Sequence, residues 1–304
     1  MKMTLLGSVG NINRIVIPKL IAEGHDLTVV TSNPQRVAVI EATGARAVVG
    51  QMTDAAFLTK HFTGQDVVYL MVSGNPGTDL FGTMAHQADV FKTAVQRAGV
   101  KRVVDLSSIG AQDQQAGSLY TYHLVEDALS SLPDVDVAFV RPVGFYKNYY
   151  SHMASIRAKH AIYSNLPEDT VRRAVAPVDI AETVYSLLSH VPTGKTVHYV
   201  YSDAFTGKML VEALAKALEM PDLKYVEITD EQYAQSMLTA GIPRGIVEPF
   251  VQSTIFERQP EKLYADLAVE QTPAGNVKLA DFAKQFAAAY QAGPDGPRAQ
   301  TIVS

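Results

Sequence analysis

Residues 7–13 read Gly-Ser-Val-Gly-Asn-Ile-Asn, two glycines three apart at the end of a short apolar run. Gly7 permits a tight turn, and Gly10 lets the backbone come close to a ligand. The amphipathic stretch that follows would offer an anion the free N–H groups and the positive dipole end of a helix. That is the pattern of a pyrophosphate-binding loop made of Gly7, Ser8, Val9, Gly10, Asn11 and Ile12. A tight strand-to-helix turn with no ligand has the same local signature. Such a loop usually has a third small residue at position 13, where this chain has Asn13. That position governs helix–strand packing, so Asn13 is expected to alter packing more than anion contact.

The next candidates lie about twenty residues on, in TVVTSNPQR (28–36). An acid at the end of a second strand would accept from the ribose hydroxyls of NAD, whereas a basic residue would pair with the 2′-phosphate of NADP. The tip here holds Thr31, Ser32 and Asn33, which can donate to a phosphate, and Arg36 lies within reach. NADP is therefore favoured over NAD, although Arg36 could equally be a solvated helix charge.

Other chemistries fall away. The chain has no cysteine, which removes thiolate catalysis and disulfides. His152 and His160, like His190 and His198, are eight apart with no acidic ligand pattern, so no metal site is expected. Ser107 and Ser108 lack a glycine-flanked nucleophile elbow. A net charge of −5 with no Lys/Arg run longer than two argues against a nucleic-acid partner. No run of 18 apolar residues exists to span a membrane, and the N-terminus lacks a signal pattern, so a cytoplasmic location is expected.

The elements that must position these residues alternate in type. Runs at 3–7, 26–31, 46–50, 66–72, 101–107 and 135–141 are mostly apolar on consecutive positions, as in strands covered on both faces. Between them lie helical patterns. The clearest spans 79–98, with Phe81, Met84, Ala88, Phe91 and Val95 on one stripe, Asp79 as N-cap and Gly99 as the stop. Pro18 should distort the first helix. This alternation predicts an α/β fold: a Rossmann-type, doubly wound parallel sheet. After Arg141 the rhythm loosens, and nine of the fourteen tyrosines fall between 120 and 201. A helix is expected at 176–190 with Asp179 as N-cap, a strand at 196–202, and helices near 206–219, 229–240 and 277–293. Thr229 and Gln232 are spaced as a capping box. The Gly/Pro-rich tail after Ala292 is expected to fray. Two portions follow: residues 1–145, a dinucleotide-binding domain, and 146–304, a smaller α-rich part that contributes strand to the main sheet.

GSVGNIN, EGHDLTVVTSNPQR, GARAVVGQMTD, GVKRVVDLSSIGA and FVRPVGFYKNY occur in an order that resembles the NmrA-like proteins. These are atypical short-chain dehydrogenase/reductase relatives that include quinone and dye reductases and redox sensors without activity. The resemblance implies NAD(P) binding, with the C-terminal part closing over the nicotinamide. It also places Val72, Ser73 and Gly74 after the fourth strand at the cofactor, Ser107 and Ser108 beside the nicotinamide ribose, and Pro142, Val143, Gly144 and Phe145 flanking the nicotinamide. Reductases of the wider group often hold a Tyr-x-x-x-Lys pair. Counted back from Glu126, those positions are Ser118 and Tyr122 here, and no lysine lies between Lys101 and Lys147. Gln51 stands where relatives often have an aspartate near the adenine.

Proton sources in the expected cleft are then Tyr120, Tyr122, His123, Tyr146 and Tyr149. His123 has an imidazole suited to acid/base work at neutral pH, and Tyr122 replaces the cofactor-contacting lysine. These two are the catalytic candidates, although such tyrosines can simply pack a core. An aromatic pocket suits a small planar acceptor such as a quinone, with solvent supplying the proton. The expected activity is an NAD(P)H-dependent oxidoreductase; the alternative is a non-catalytic NAD(P)-binding redox sensor of the NmrA type. Its partner is a small molecule, and an oligomer is compatible with the sequence.

Overall fold

The computed structural model describes residues 1–72 and 77–293. Two compact units interleave along the chain. One comprises Met1–Gln112, Leu119–Pro142 and Ile180–Tyr199; the other comprises Asp113–Ser118, Val143–Asp179 and the chain from Val200 on. The chain thus crosses between the units five times, residues 119–142 and 180–199 each returning to the first.

In the first unit, β1 (Lys2–Leu5), α1 (Asn13–Ala22), β2 (Asp26–Thr31), α2 (Val37–Glu41), β3 (Arg46–Val49), α3 (Ala55–Phe62), β4 (Val67–Met71), α4 (Leu80–Ala98), β5 (Arg102–Leu106), α5 (His123–Ser130) and β6 (Asp136–Pro142) follow one another. The strands lie in the order β3-β2-β1-β4-β5-β6, and a further strand, Lys195–Val200, lies beyond β6. Each neighbouring pair from β3 to β6 is parallel. The apolar runs explain this: Val67–Leu70 and Val103–Leu106, apart from Asp105, bury apolar side chains on both faces. The strand order reverses between β1 and β4, and open α/β sheets bind ligands outside the carboxyl ends of the strands at such a switch point.

One face of this sheet packs Val68, Leu70, Val103 and Phe139 against Phe62 of α3, Phe91 and Val95 of α4, and Leu129 of α5. In α4 the caps are those expected: Asp79 Oδ1 accepts from the Gly82 N–H at 3.0 Å, and Gly99 closes the helix at φ +68°. The stripe is shorter than expected. It begins at Met84, since Phe81 is 38% exposed, and it includes the buried Gln87, whose amide donates to the Met52 carbonyl at 2.9 Å. α1 runs on through Pro18, where one helical donor is missing.

The second unit and its flanking segments carry β7 (Gly144–Phe145), α6 (Met153–Lys159), β8 (Ala161–Ser164), β9 (Arg172–Val175), α7 (Pro177–Ser189), β10 (Lys195–Val200), β11 (Asp203–Phe205), α8 (Gly207–Leu218), β12 (Lys224–Glu227), α9 (Asp230–Thr239), α10 (Arg244–Glu257), α11 (Pro260–Leu263), α12 (Ala265–Val269) and α13 (Leu279–Gln291). β11, β9 and β7 form a three-stranded sheet, and β12 pairs with β8. Tyr146 stacks on Phe282 with ring centroids 4.7 Å apart, and Tyr150 on Phe286 at 5.4 Å. The tyrosines of FYKNYY therefore build this unit's own core, together with Phe205 and Leu210.

The capping box of α9 forms as expected between Thr229 and Gln232. Asp179 does not cap α7. It lies within the first turn, where its carboxylate accepts from the Ser202 hydroxyl and, at 3.0 Å, from the Asn276 N–H. α10 has no counterpart in the sequence reading, because Gly245 and Pro249 break its apolar pattern. The tail expected to fray lies, after Gly293, outside the described residues.

Gly117 is fixed by close approach. Its φ of +58° suits glycine, and a Cβ there would lie 2.3 Å from the Pro249 carbonyl oxygen and 2.6 Å from the Ser253 nitrogen of α10. Gly117→Ala is therefore expected to destabilise the protein by about 2–4 kcal/mol, read as a lower urea midpoint at unchanged slope. A midpoint equal to that of the unaltered protein would contradict this packing.

Candidate dinucleotide site

The loop between β1 and α1 is built around Gly7, whose φ of +94° turns the chain sharply off the strand. A Cβ at Gly7 would lie 3.0 Å from Met71 Sδ, and one at Gly10 would lie 3.0 Å from the Gly7 carbonyl oxygen. Gly7 is favoured by its positive φ, and a Cβ at either glycine would make its neighbour give by a few tenths of an ångström. Ser8 also has positive φ, +53°, and its N–H donates to the Val30 carbonyl at 3.0 Å, which ties the loop to β2.

Asn13 completes the loop. Its side chain is buried, and Nδ2 donates to the Leu6 carbonyl at 2.7 Å and to the Ser8 carbonyl at 2.8 Å. A third glycine would let helix and strand approach closely; here an amide bridges the same gap and clips loop to strand. Ile12, at the N-cap of α1, makes no side-chain cap, and the Arg14 and Ile15 N–H groups of the first turn donate to the carbonyls of Gly10 at 3.0 Å and Ile12 at 2.9 Å. Two further polar atoms, Ser8 Oγ and Asn13 Oδ1, are buried with no hydrogen-bond partner. A tight glycine turn, a helix start with no side-chain cap and the orphaned Ser8 hydroxyl fit a pyrophosphate; Asn13 Oδ1, an acceptor, does not bear on it.

At the end of β2, Thr31 is buried and turned inward. Its hydroxyl donates to the Asn33 carbonyl at 3.3 Å and accepts from the Asn33 N–H at 3.2 Å. Asn33 Oδ1 in turn accepts from the Gln35 N–H at 2.9 Å. These two side chains hold the turn, leaving Ser32 exposed and Arg36 half-buried at the end of the short helical turn Pro34–Arg36. Gln51 is exposed after β3. Val72 packs on the sheet core after β4, while Ser73 and Gly74 lie outside the described residues.

The end of β5 carries a buried polar chain. The Ser107 hydroxyl donates to Glu126 Oε1 of α5, and Arg141 of β6 binds the same carboxylate through Nε at 2.9 Å and through Nη2. Arg141 Nη1 also donates to Tyr199 Oη at 2.8 Å. Burial works against the charge of Arg141, yet Glu126 and Tyr199 outweigh it and raise its pKa further. Because the Ser107 proton is committed to Glu126, the oxygen of Ser107 faces any neighbour as an acceptor. Ser108 is tied locally, its hydroxyl donating to the Ile109 carbonyl at 3.0 Å.

Asp105 lies two residues earlier on β5, 1% exposed, with neither carboxylate oxygen hydrogen-bonded. Burial and then the nearby Glu126 push its pKa well above the usual carboxylate range. Burial and Asp105 likewise raise the Tyr122 phenol. His123 stacks on Tyr120 at 4.7 Å, and its Nε2 lies 3.1 Å from Asp127 Oδ2 one turn on. Ser118 is locked to α10: its N–H donates to Ser253 Oγ at 2.8 Å, and the two hydroxyl oxygens are 2.7 Å apart.

Pro142 accepts from the Ile109 N–H at 3.0 Å, and the Val143 N–H donates to the Val200 carbonyl at 3.0 Å. Gly144 is exposed, and Phe145 is half-buried where β7 pairs with β9. Glu126 entered the sequence reading only as a landmark, and Asp105, Arg141 and Tyr199 had no role there. A charged residue inside an otherwise apolar strand, as in VVDL and AFVR, is the signal that could have found two of them.

Residues 7–191 match the model of a family described as NAD(P)H-binding. The chain belongs to that family. Among similar proteins, a (4-alkanoyl-5-oxo-2,5-dihydrofuran-3-yl)methyl phosphate reductase of Streptomyces griseus subsp. griseus is 27% identical over 259 residues, 83% of this chain and 85% of that protein. An NAD(P)H azoreductase of Xenophilus azovorans is 23% identical over 291 residues, 95% of this chain and 99% of that one. In fold, the chain is similar to an NADPH-dependent quinone oxidoreductase from Escherichia coli solved with NADPH, with a TM-score of 0.76 at 18% identity over 93% of this chain and 99% of the other. It is also similar to NmrA, a negative transcriptional regulator, with a TM-score of 0.71 at 12% identity over 96% and 97%. The NmrA-like resemblance drawn from the motifs thus agrees with the fold. Among the described residues, no group of three or more His, Cys, Asp or Glu could hold a metal, and no helix is long and apolar enough to cross a membrane.

The buried chain gives a direct test. Glu126→Ala leaves Arg141 as an uncompensated buried cation and is expected to cost about 3–5 kcal/mol in urea unfolding. Ser107→Ala removes one hydrogen bond and is expected to cost about 1–2 kcal/mol. Equal losses for the two variants would contradict a role for the charge pair.

Proposed function

We propose that the protein is an NAD(P)H-dependent reductase that transfers a hydride to a small planar acceptor such as a quinone. The observation that carries this reading is the clipped glycine cradle at the switch point, with a helix start that has no side-chain cap and the orphaned Ser8 hydroxyl. Gly7, Ser8, Val9, Gly10, Asn11 and Ile12 would hold the pyrophosphate, and Ser32 and Arg36 the adenosine end. Val72, Ser73 and Gly74 would line the cofactor, Ser107 and Ser108 the nicotinamide ribose, and Val143 to Phe145 the nicotinamide face. When bound, the dinucleotide supplies the hydride. Ser107, its proton held by Glu126, would accept from a ribose hydroxyl or the carboxamide.

The names of the relatives support a planar or unsaturated acceptor, since they include an azoreductase and a quinone oxidoreductase. Tyr122 is a poor acid in its buried place, and the ring of His123 is engaged by Tyr120 and Asp127. In this reading the proton comes from water, and neither candidate is needed as the donor. NADP is preferred because the tip of β2 has no acid and carries Ser32 and Arg36, side chains that can donate to a 2′-phosphate.

A second reading, a non-catalytic NAD(P) sensor, is favoured by Ser118. It occupies the position of the missing tyrosine and is locked to Ser253. Calorimetric titration with NADPH and NADH comes first: tight NADPH and weaker NADH binding is expected, and no binding of either would overturn both readings. Loss of reduced-nicotinamide absorbance with 1,2-naphthoquinone is then expected of the enzyme, and its absence would leave the sensor. Arg36→Ala is expected to weaken NADPH roughly tenfold while leaving NADH within about twofold, as loss of one charge-assisted contact implies. Equal weakening of both would remove the phosphate contact.

A further inference from the structure

The second unit holds a group of titratable side chains that its apolar core does not require. Arg172 of β9 lies at the centre and is buried. Its Nη2 donates to Tyr225 Oη of β12 at 2.6 Å, and that hydroxyl donates onward to the Leu166 carbonyl at 2.7 Å. Nε is cut off from water with no partner, whereas Nη1 is not cut off in this way. The same guanidinium acts on Glu257 at the end of α10 and on Tyr149 in the helical turn Tyr146–His152. All of these residues belong to the second unit.

Glu257 is half-buried. Among the described residues its carboxyl makes no hydrogen bond or ion pair, and neither oxygen is cut off from water. Its neighbour Arg258 is engaged elsewhere, by Asp230 and by the Asn165 carbonyl at 2.8 Å. Burial nevertheless raises the Glu257 carboxyl to about 7, against the opposing pull of Arg172. A carboxyl that keeps contact with water and is still desolvated lies in a recess, not on a convex face. Tyr233 of α9 shares it: the residue is half-buried, its hydroxyl is not cut off from water, and burial and then Glu257 raise its phenol. Tyr149 and Tyr264 complete the groups that face Glu257. His152 stacks on Tyr149 with ring centroids 6.3 Å apart, and burial and then Arg172 lower it to about 4, so it adds no charge at neutral pH.

The charges in this recess select against ions. An anion would meet Glu257, and a cation would meet Arg172. A neutral ligand must give Glu257 a donor and offer the guanidinium an acceptor, and a single hydroxyl does both. The rings of Tyr149, Tyr233 and Tyr264 suit a flat aromatic body. We propose that the recess formed by Glu257, Arg172 and Tyr233 binds a neutral hydroxylated arene, such as a phenol, a naphthol or a catechol. One hydroxyl donates to the Glu257 carboxylate and accepts from Arg172 Nη1, and Tyr233 Oη bonds a second. The site lies wholly within the second unit and goes beyond the reductase reading, on which it does not rest.

The test is calorimetric titration with 2,3-dihydroxynaphthalene and with 2,3-dimethoxynaphthalene, which cannot donate, at pH 8 and pH 5.5 with no nucleotide added. At pH 8 the diol is expected to bind about tenfold tighter than the ether. Above about pH 7 Glu257 is a carboxylate and its bond to the hydroxyl is charge-assisted; protonation removes that assistance. The diol is therefore expected to bind about tenfold more weakly at pH 5.5, while the ether stays within about twofold. Glu257→Gln is expected to bring the affinity at pH 8 down to the value at pH 5.5 and to flatten the profile. Tyr233→Phe is expected to weaken the diol about fivefold and to keep the profile. If Glu257→Gln does not fold, as judged by circular dichroism, the profile and Tyr233→Phe decide. Equal binding of diol and ether, or binding of neither, would overturn the proposal. So would a pH dependence that persists in folded Glu257→Gln, or a diol affinity unchanged in folded Tyr233→Phe.

Discussion

A charge taken out of water must be paired, and in the first unit that requirement organises the end of the sheet. Arg141 and Glu126 are both buried, one on β6 and the other on α5, and each satisfies the other in two-pronged fashion. The pair fixes α5 against the sheet, draws the hydroxyl of Ser107 from β5, and gathers Tyr199 from β10. Four elements converge on one ion pair. An apolar core holds these elements together but leaves them free to slide by fractions of a turn. Directional bonds to a single buried ion pair remove that freedom, so the carboxyl end of β5 acquires a defined polarity as well as a defined place.

Much of this was legible beforehand. Buried parallel strands write themselves as consecutive apolar residues, and the six runs of the first 141 residues are the strands β1 to β6 within a residue or two. The caps of α4 and α9 were legible because their chemistry is local. What escaped was non-local. Nothing near Phe81 says that the sheet ends short of it, and Asp179 has the look of a cap until Ser202 and Asn276 arrive from elsewhere in the chain to claim it. α10 was hidden by Gly245 and Pro249, which break the pattern without breaking the helix.

The candidate site shows the same division. The glycine loop was readable because strand, turn and helix lie within a dozen residues. The buried chain through Ser107 was not, since its members are drawn from positions 107, 126, 141 and 199. Asp105 is a sharper case: an acid within an apolar strand looks like an exposed exception, yet it is enclosed, and burial raises its pKa. Arg172 and Arg173 look alike in sequence, and only the pleat of β9 separates a core residue from one that faces Tyr201 and Tyr264.

The amide of Asn13 bears on the cradle before any ligand arrives. A glycine-rich loop is conformationally free, and that freedom would be lost on binding, at the expense of affinity. Here Nδ2 bonds the carbonyls of Leu6 and Ser8, so the loop takes its shape as the domain folds. The ordering entropy is therefore charged to folding rather than to association. Positions 7 and 13 are also coupled in variation, since a Cβ at Gly7 would lie 3.5 Å from the Asn13 amide that clips the loop.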